Sequence, residues 1–185
     1  MKTIRIAVLS AMSLTMVWLP GHAAAEETRC RGSIGSRTVD NLKVPSDARC
    51  ELDGTKVKGT IKVGRDATLV ATDVRVIGNV QAENARKVVV RGSRVGGSVQ
   101  IVHGGSALIR GTKVNADILF DDQSAKVRAK GNDVGGNIQA FQNTGGVVVR
   151  GNVVDGNLQC KENEPAPTGG DNEVQGNKED QCSGL

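Results

Sequence analysis

The stretch Lys87-Val88-Val89-Val90-Arg91-Gly92-Ser93-Arg94-Val95-Gly96-Gly97-Ser98-Val99-Gln100-Ile101-Val102 decides the fold of this chain. It holds two β-branched runs, Lys87 to Arg91 and Val99 to Val102, separated by Gly92-Ser93 and by Gly96-Gly97-Ser98. Runs of four or five Val and Ile residues bounded by Gly and Asn read as strands. A helix over the same residues would have to absorb glycines that each cost about 1 kcal/mol against Ala. No apolar residues at helical spacing follow a capping residue anywhere in this region.

Outward from this stretch the same phrase returns. Clear copies begin at Gly78-Asn79-Val80-Gln81, Gly97-Ser98-Val99-Gln100, Gly136-Asn137-Ile138-Gln139 and Gly156-Asn157-Leu158-Gln159. Gly59-Thr60-Ile61-Lys62 and Ala116-Asp117-Ile118-Leu119 are weaker copies, and Gly176-Asn177 trails them. The steps between the first residues are 19, 19, 19, 20, 20 and 20. A fixed period of this size marks a solenoid. Aligned on the anchors, the columns Leu52/Ala71/Val90/Ile109/Ala129/Val149, Val57/Val76/Val95/Val114/Val134/Val154/Val174 and Ile61/Val80/Val99/Ile118/Ile138/Leu158 stay apolar. Alternation sends these inward and their neighbours outward. The chain is therefore expected to be an all-β, single-domain parallel β-helix of about six 19–20-residue coils, right-handed by the usual rule for parallel crossovers. The anchor glycines read as a corner where a side chain would clash or φ is positive. The Asn after them reads as a turn residue and a candidate amide ladder.

Residues 1–25 read as a secretory signal: Lys2 and Arg5, an apolar run from Ile6 to Leu19, then Ala23-Ala24-Ala25. The run is short and Ser/Thr-dotted, so no membrane span is expected, and the protein is expected to be exported, to periplasm or medium. The whole chain carries a formal charge of +4 and the signal contributes +2; residues from Lys161 onward hold two basic and six acidic side chains. The body from 26 to 160 is thus basic, the tail acidic. Past the signal only Phe120 and Phe141 are aromatic, which fits one domain with an aliphatic core.

Four cysteines remain, with spacings of 20 between Cys30 and Cys50 and 22 between Cys160 and Cys182. Cysteines one coil apart lie near the ~5.5–6 Å Cα separation a disulfide favours, and an exported chain with an even count suits disulfides. The expected pairs are Cys30–Cys50 and Cys160–Cys182; four cysteines at opposite ends of a stack cannot share one zinc ion. Residues 26–50 are read as an N-terminal cap, 51–160 as the repeats, and 161–185 as a disulfide-held C-terminal cap that closes the open strand edges. A monomer follows from capped ends.

Positive charge is the most regular outward feature. Arg91, Arg110, Lys130 and Arg150 stand six residues before successive anchors, and Lys56, Arg75, Arg94 and Lys113 stand three before. Such a stripe suits a polyanion: an acidic polysaccharide, lipopolysaccharide or extracellular DNA. The plainer alternative is a solvated face with charges paired to Asp73, Asp117 and Asp133. No aromatic residues stand between the cations to stack bases or sugars.

A second constellation is Glu83, His103 and Asp122 on neighbouring coils, beside Asn84 and Asp121. Carboxylates beside the one histidine left after the signal suit acid–base work or a divalent cation. Parallel β-helices that cleave acidic polysaccharides offer a fold-level analogy. The alternative is a polar loop at a strand end, in a chain too short to wall a cleft. No Ser/His/Asp set assembles around one histidine, and the Gly-rich segments are turns at the coil period rather than a phosphate loop. Gly169-Gly170-Asp171 does not repeat at nine residues, which argues against a calcium-binding β-roll. The column Thr55, Val74, Ser93, Thr112, Asn132, Asn152, Asn172 is too mixed for an ice-binding threonine face.

The Gly-Asn-Val-Gln and Val-Val-Val-Arg-Gly phrases, with the closing Cys160-Lys161-Glu162-Asn163 and Asn177-Lys178-Glu179-Asp180-Gln181-Cys182, resemble small exported bacterial β-helix proteins of unassigned activity. The coil pattern is also similar to bactofilins, which are cytoplasmic filament formers; the export signal and disulfide-held ends depart from them. The expectation is a non-enzymatic binding or structural module of the cell envelope without a cofactor. The rivals are a small polysaccharide-cleaving β-helix and a laterally assembling envelope protein.

Overall fold

The computed structural model describes residues 26–185, so the expected export signal lies outside the described residues. Every strand pairs in parallel, and three sheets of nine, eight and eight strands run the length of the molecule. One turn is typical: Val80–Glu83 belongs to the first sheet, Lys87–Arg91 to the second and Arg94–Val95 to the third. Eight such turns follow one another, and Lys178–Asp180 adds a last strand to the first sheet.

The described fold is the expected parallel β-solenoid, with two refinements. The third sheet is built from two-residue strands, too short to announce themselves as runs. The expected six coils become eight because the terminal segments follow the same path. Glu27–Arg29, Gly32–Ile34 and Thr38–Val39 form the first turn, and Thr168–Gly170 and Glu173–Val174 extend the other end. Their inward columns are thinner: Thr28 stands in register with Leu42, and Gly169 with Val149. The period fades there although the backbone continues.

The apolar columns form the core. Val80, Val99, Ile118, Ile138 and Leu158 lie in consecutive register and are all fully buried. Burying such side chains contributes about 1.5–3 kcal/mol each, which gives an aliphatic solenoid its cohesion. Phe120 is fully buried, whereas Phe141 points outward from the first sheet and is half-buried.

Two columns of the interior are polar. Asn132, Asn152 and Asn172 are buried, and each amide oxygen accepts the backbone N–H of the residue one turn earlier, as in Asn132 N–H to Asn152 Oδ1 at 3.0 Å. The amide nitrogens donate to carbonyls such as Ile109 and Ala129. Asn143 and Asn163 repeat the pattern at the corner between the first and second sheets, accepting the Gln123 and Asn143 N–H and donating to the Phe120 and Ala140 carbonyls. Thr55, Ser93 and Thr112 share the first of these columns and are buried too, so that column presents no face to solvent.

A third ladder runs outside the core, at the corner that carries the anchors. Asn41, Thr60, Asn79, Ser98, Asp117, Asn137 and Asn157 each accept the backbone N–H of their equivalent on the next turn, at 2.8–3.3 Å. This explains the anchor glycines. A Cβ on Gly156 would sit 2.5 Å from Asn137 Oδ1, and Gly59, Gly97 and Gly176 meet the Asn Oδ1 one turn earlier in the same way. The clash is the reason; φ at these glycines is not in the left-handed region.

Both expected disulfides are present, Cys30–Cys50 and Cys160–Cys182, with Cα separations of 5.5 and 5.2 Å. At the C-terminal end Cys182 is fully buried, Leu185 packs on the core, and Asn172 Nδ2 donates to the Leu185 carbonyl.

Candidate functional site

Between the second and third sheets the chain turns through one left-handed residue per turn, and at Gly92, Gly111, Gly131 and Gly151 that residue is glycine, with φ of 56–63°. A groove of about 510 Å³ runs along this corner over Gly92, Gly111 and Gly131, and is lined also by Asp133 and by Asp73, whose carboxylate lies over Gly92. Arg91, Arg110, Lys130 and Arg150 stand in register on the second-sheet side. Lys56, Arg75, Arg94 and Lys113 stand in register on the third-sheet side. The two expected cation columns therefore flank one corner: Arg75, Arg94 and Lys113 line its groove together with Asp73 and Asp133, and the second-sheet column stands beside that lining.

The two columns are staggered. Beyond Lys113 the third-sheet column continues as Asp133, Val153 and Glu173. Arginine or lysine stands on both sides of the corner at Arg91/Arg94 and Arg110/Lys113, and Arg75 extends the third-sheet column by one turn. Lys113 Nζ lies 2.6 Å from Asp133 Oδ2, and Arg150 is paired with Asp171 at 2.9 Å. Among the described residues Arg75, Arg91, Arg94 and Arg110 have no carboxylate partner within 4 Å and are exposed. Asp117, a suggested counter-ion, instead accepts the Asn137 N–H in the corner ladder.

Three further cations, on or beside the outer face of the second sheet, were not singled out from the sequence. Lys87 and Arg128 project from the second sheet, and Lys126 precedes its strand. Arg128 sits two residues before Lys130, where period-two alternation puts it on the same face. Across the strands from Thr68 to Arg150 that sheet contains no acidic residue.

Glu83, His103 and Asp122 do not form one site. His103 and Asp122 occupy a column of left-handed corner residues together with Asn84, Gln142 and Glu162, with φ of 52–57°. Since five successive turns, from Asn84 to Glu162, have such a residue there, the backbone of His103 follows from the coil itself. Glu83 lies one register position earlier, opposite Val102, on the first sheet. It lines a groove with Lys62, Gln81 and Gln100, whereas His103 lines another with Asp66, Arg86 and Ser124. No hydrogen bond or ion pair joins the three, and no group of three His, Cys, Asp or Glu side chains is placed to hold a metal among the described residues. Elsewhere, the Asp40 carboxyl is held below the usual range by the hydrogen bond and charge of Lys58, 2.9 Å away, remote from the groove.

No helix among the described residues is long and apolar enough to cross a membrane. No protein-family model matches the chain, nor does any curated protein or solved structure. The resemblance to exported β-helix proteins and to bactofilins thus rests on the coil pattern alone.

Proposed function

We propose that the protein is an exported, non-enzymatic solenoid that holds an anionic polymer along the groove between its second and third sheets. The carrying observation is the pair of cation columns flanking this corner, where Arg75, Arg91, Arg94 and Arg110 have no carboxylate partner although Asp73 and Asp133 also line the groove. Cations repeat at the rise of one turn, about 4.8 Å, so a linear chain with regularly spaced charges meets the same contact on successive turns. At Gly111 and Gly131 the floor is open, which lets a polymer backbone approach closely, as glycine does at other ligand surfaces. The two disulfides fit an oxidising compartment outside the cytoplasm, where acidic polysaccharide, lipopolysaccharide and extracellular DNA are the candidate partners.

The test is retention on heparin and on acidic polysaccharide resins across a salt series. The Arg75→Ala/Arg94→Ala/Arg110→Ala variant is expected to elute at clearly lower salt than a charge-matched control, Arg31→Ala/Arg37→Ala/Lys161→Ala, whose residues are exposed but lie off the groove. Equal shifts for both variants would leave only net charge and would overturn the proposal.

A further inference from the structure

The second sheet carries a feature that a linear polyanion has no use for. Its central outward column reads Val70, Val89, Leu108, Arg128 and Val148, in consecutive register. Four of the five are aliphatic, and Val70, Leu108 and Val148 are partly exposed. Val89 is 3% exposed although it points outward. It is flanked on its own strand by Lys87 and Arg91, long side chains of the kind that lie over apolar surface and keep their charges in water. Cations border the column on both sides, with Lys87 and Lys126 toward the first sheet and Arg91, Arg110, Lys130 and Arg150 toward the third.

Geometry separates this face from the groove. Strands of five residues and four steps between neighbours give a panel of roughly 16 by 19 Å. The panel is acid-free and apolar along its midline. A polymer lying in the corner groove would touch only its edge.

We infer that the second sheet docks on the surface of an anionic lipid bilayer. Charge complementarity selects the occupant: a planar array of phosphates faces a planar array of cations, and the charged ends can reach the headgroups while their stems uncover the aliphatic midline. Shallow contact of Val70, Leu108 and Val148 with the headgroup–acyl boundary then adds apolar burial to the electrostatic attraction. This contact lies on the surface and requires no spanning segment.

Sedimentation of the purified protein with vesicles tests the inference, using phosphatidylglycerol–phosphatidylcholine mixtures against phosphatidylcholine alone. The expected result is binding to the anionic vesicles only. Leu108→Gln/Val148→Gln should weaken it about tenfold while heparin retention stays unchanged. The fold should survive, because the same outward column already accepts Glu51 and Thr168, and an unchanged melting temperature checks this. Arg75→Ala/Arg94→Ala should do the opposite, weakening heparin retention and sparing vesicles. Absence of binding to anionic vesicles overturns the inference and leaves the polymer groove standing. Vesicle affinity unaltered by Leu108→Gln/Val148→Gln also overturns it, since headgroup charge alone would then account for the attachment.

Discussion

Ser98 and Ala116 stand one turn apart, in a ladder column otherwise held by Asn, Thr and Asp and in an anchor column otherwise held by Gly from Gly59 to Gly176, and each makes room for the other. Ser98 Oγ accepts the Asp117 N–H at 3.3 Å, and the Ala116 N–H reaches the Gly97 carbonyl at 3.3 Å. At the other turns of this corner the equivalent backbone bond is 2.7–3.0 Å. Serine lacks the amide oxygen that would occupy the place of the Ala116 Cβ, so the one alanine among the anchors lies beyond the one serine of the ladder.

This pairing predicts a compensated double mutant. Ser98→Asn drives Oδ1 into the Ala116 Cβ and should destabilise the protein by about 1–3 kcal/mol, the usual range for overpacking. Adding Ala116→Gly should recover most of that loss, although Gly by itself is less favourable than Ala in a strand-like backbone. Denaturant unfolding of the four proteins gives the coupling energy. Additive effects would show that the corner does not dictate its own sequence.

The buried amides predict a different asymmetry. Asn152 accepts the Asn132 N–H and Nδ2 and donates to the Ala129 carbonyl and to Asn172 Oδ1. Asn152→Val leaves several buried polar atoms without partners, each costing about 1–3 kcal/mol. Ser93→Val, in the same column, removes a smaller set: the acceptor for the Val74 N–H and a donor to the Arg91 carbonyl. The Asn152 variant should therefore lose clearly more stability by chemical denaturation, and equal losses would contradict the ladder as a cooperative unit.

What was legible in the sequence was whatever recurs with an apolar marker. The Val57-to-Val154 and Ile61-to-Leu158 columns announced the solenoid, and the one-coil spacing of Cys30 with Cys50 announced a disulfide. Phase was harder to read. A left-handed corner residue such as Gly92 or His103 resets the two-residue alternation, so Ser93 points inward directly after the corner while Arg91 and Arg94 on either side point out. The same slip separates Glu83 from His103, which made three residues on neighbouring turns look like one site. Arg128 escaped notice because its column is otherwise aliphatic at Val70, Val89, Leu108 and Val148, and a lone cation in such a column gives no periodic signal.

Each disulfide closes a loop of about one turn at one end of a quasi-one-dimensional stack. Loops of 20 and 22 residues correspond to roughly 3 kcal/mol each in the chain-entropy account. Because each turn contacts mainly its neighbours, the loss should stay local. Cys30→Ser/Cys50→Ser is expected to speed amide hydrogen exchange in Glu27–Val44 while Val99–Arg110 exchanges as before. Uniform acceleration along the chain would show that the turns unfold as one unit and that the first disulfide supports all of them.

Gln123 offers a stabilising change. It is the first rung of the second buried amide ladder, and its Nε2 donates to the Ile101 and Asp121 carbonyls at 2.9 and 2.7 Å. Its Oε1 is buried without a partner and lies over Gly104, where it would stand 2.9 Å from a Cβ built on that glycine. At the rungs below, asparagine does better: Asn143 and Asn163 use Oδ1 to accept the backbone N–H of the residue one turn earlier, Gln123 and Asn143 respectively. Their shorter side chains hold the oxygen in line with that N–H, whereas the extra methylene of Gln123 carries its oxygen past it. Gln123→Asn should bring the oxygen back toward the Gly104 N–H and relieve an unsatisfied acceptor whose cost is about 1–3 kcal/mol. Part of that gain is offset by the methylene left unfilled, about 0.8 kcal/mol, so the expected net is a stabilisation on the order of 1 kcal/mol, read as a raised denaturation midpoint. Gln123→Leu, which removes the orphan together with both donors, should instead destabilise by leaving the Ile101 and Asp121 carbonyls short of a partner. A Gln123→Asn variant less stable than the parent would mean that glutamine's reach to those two carbonyls outweighs its stranded oxygen.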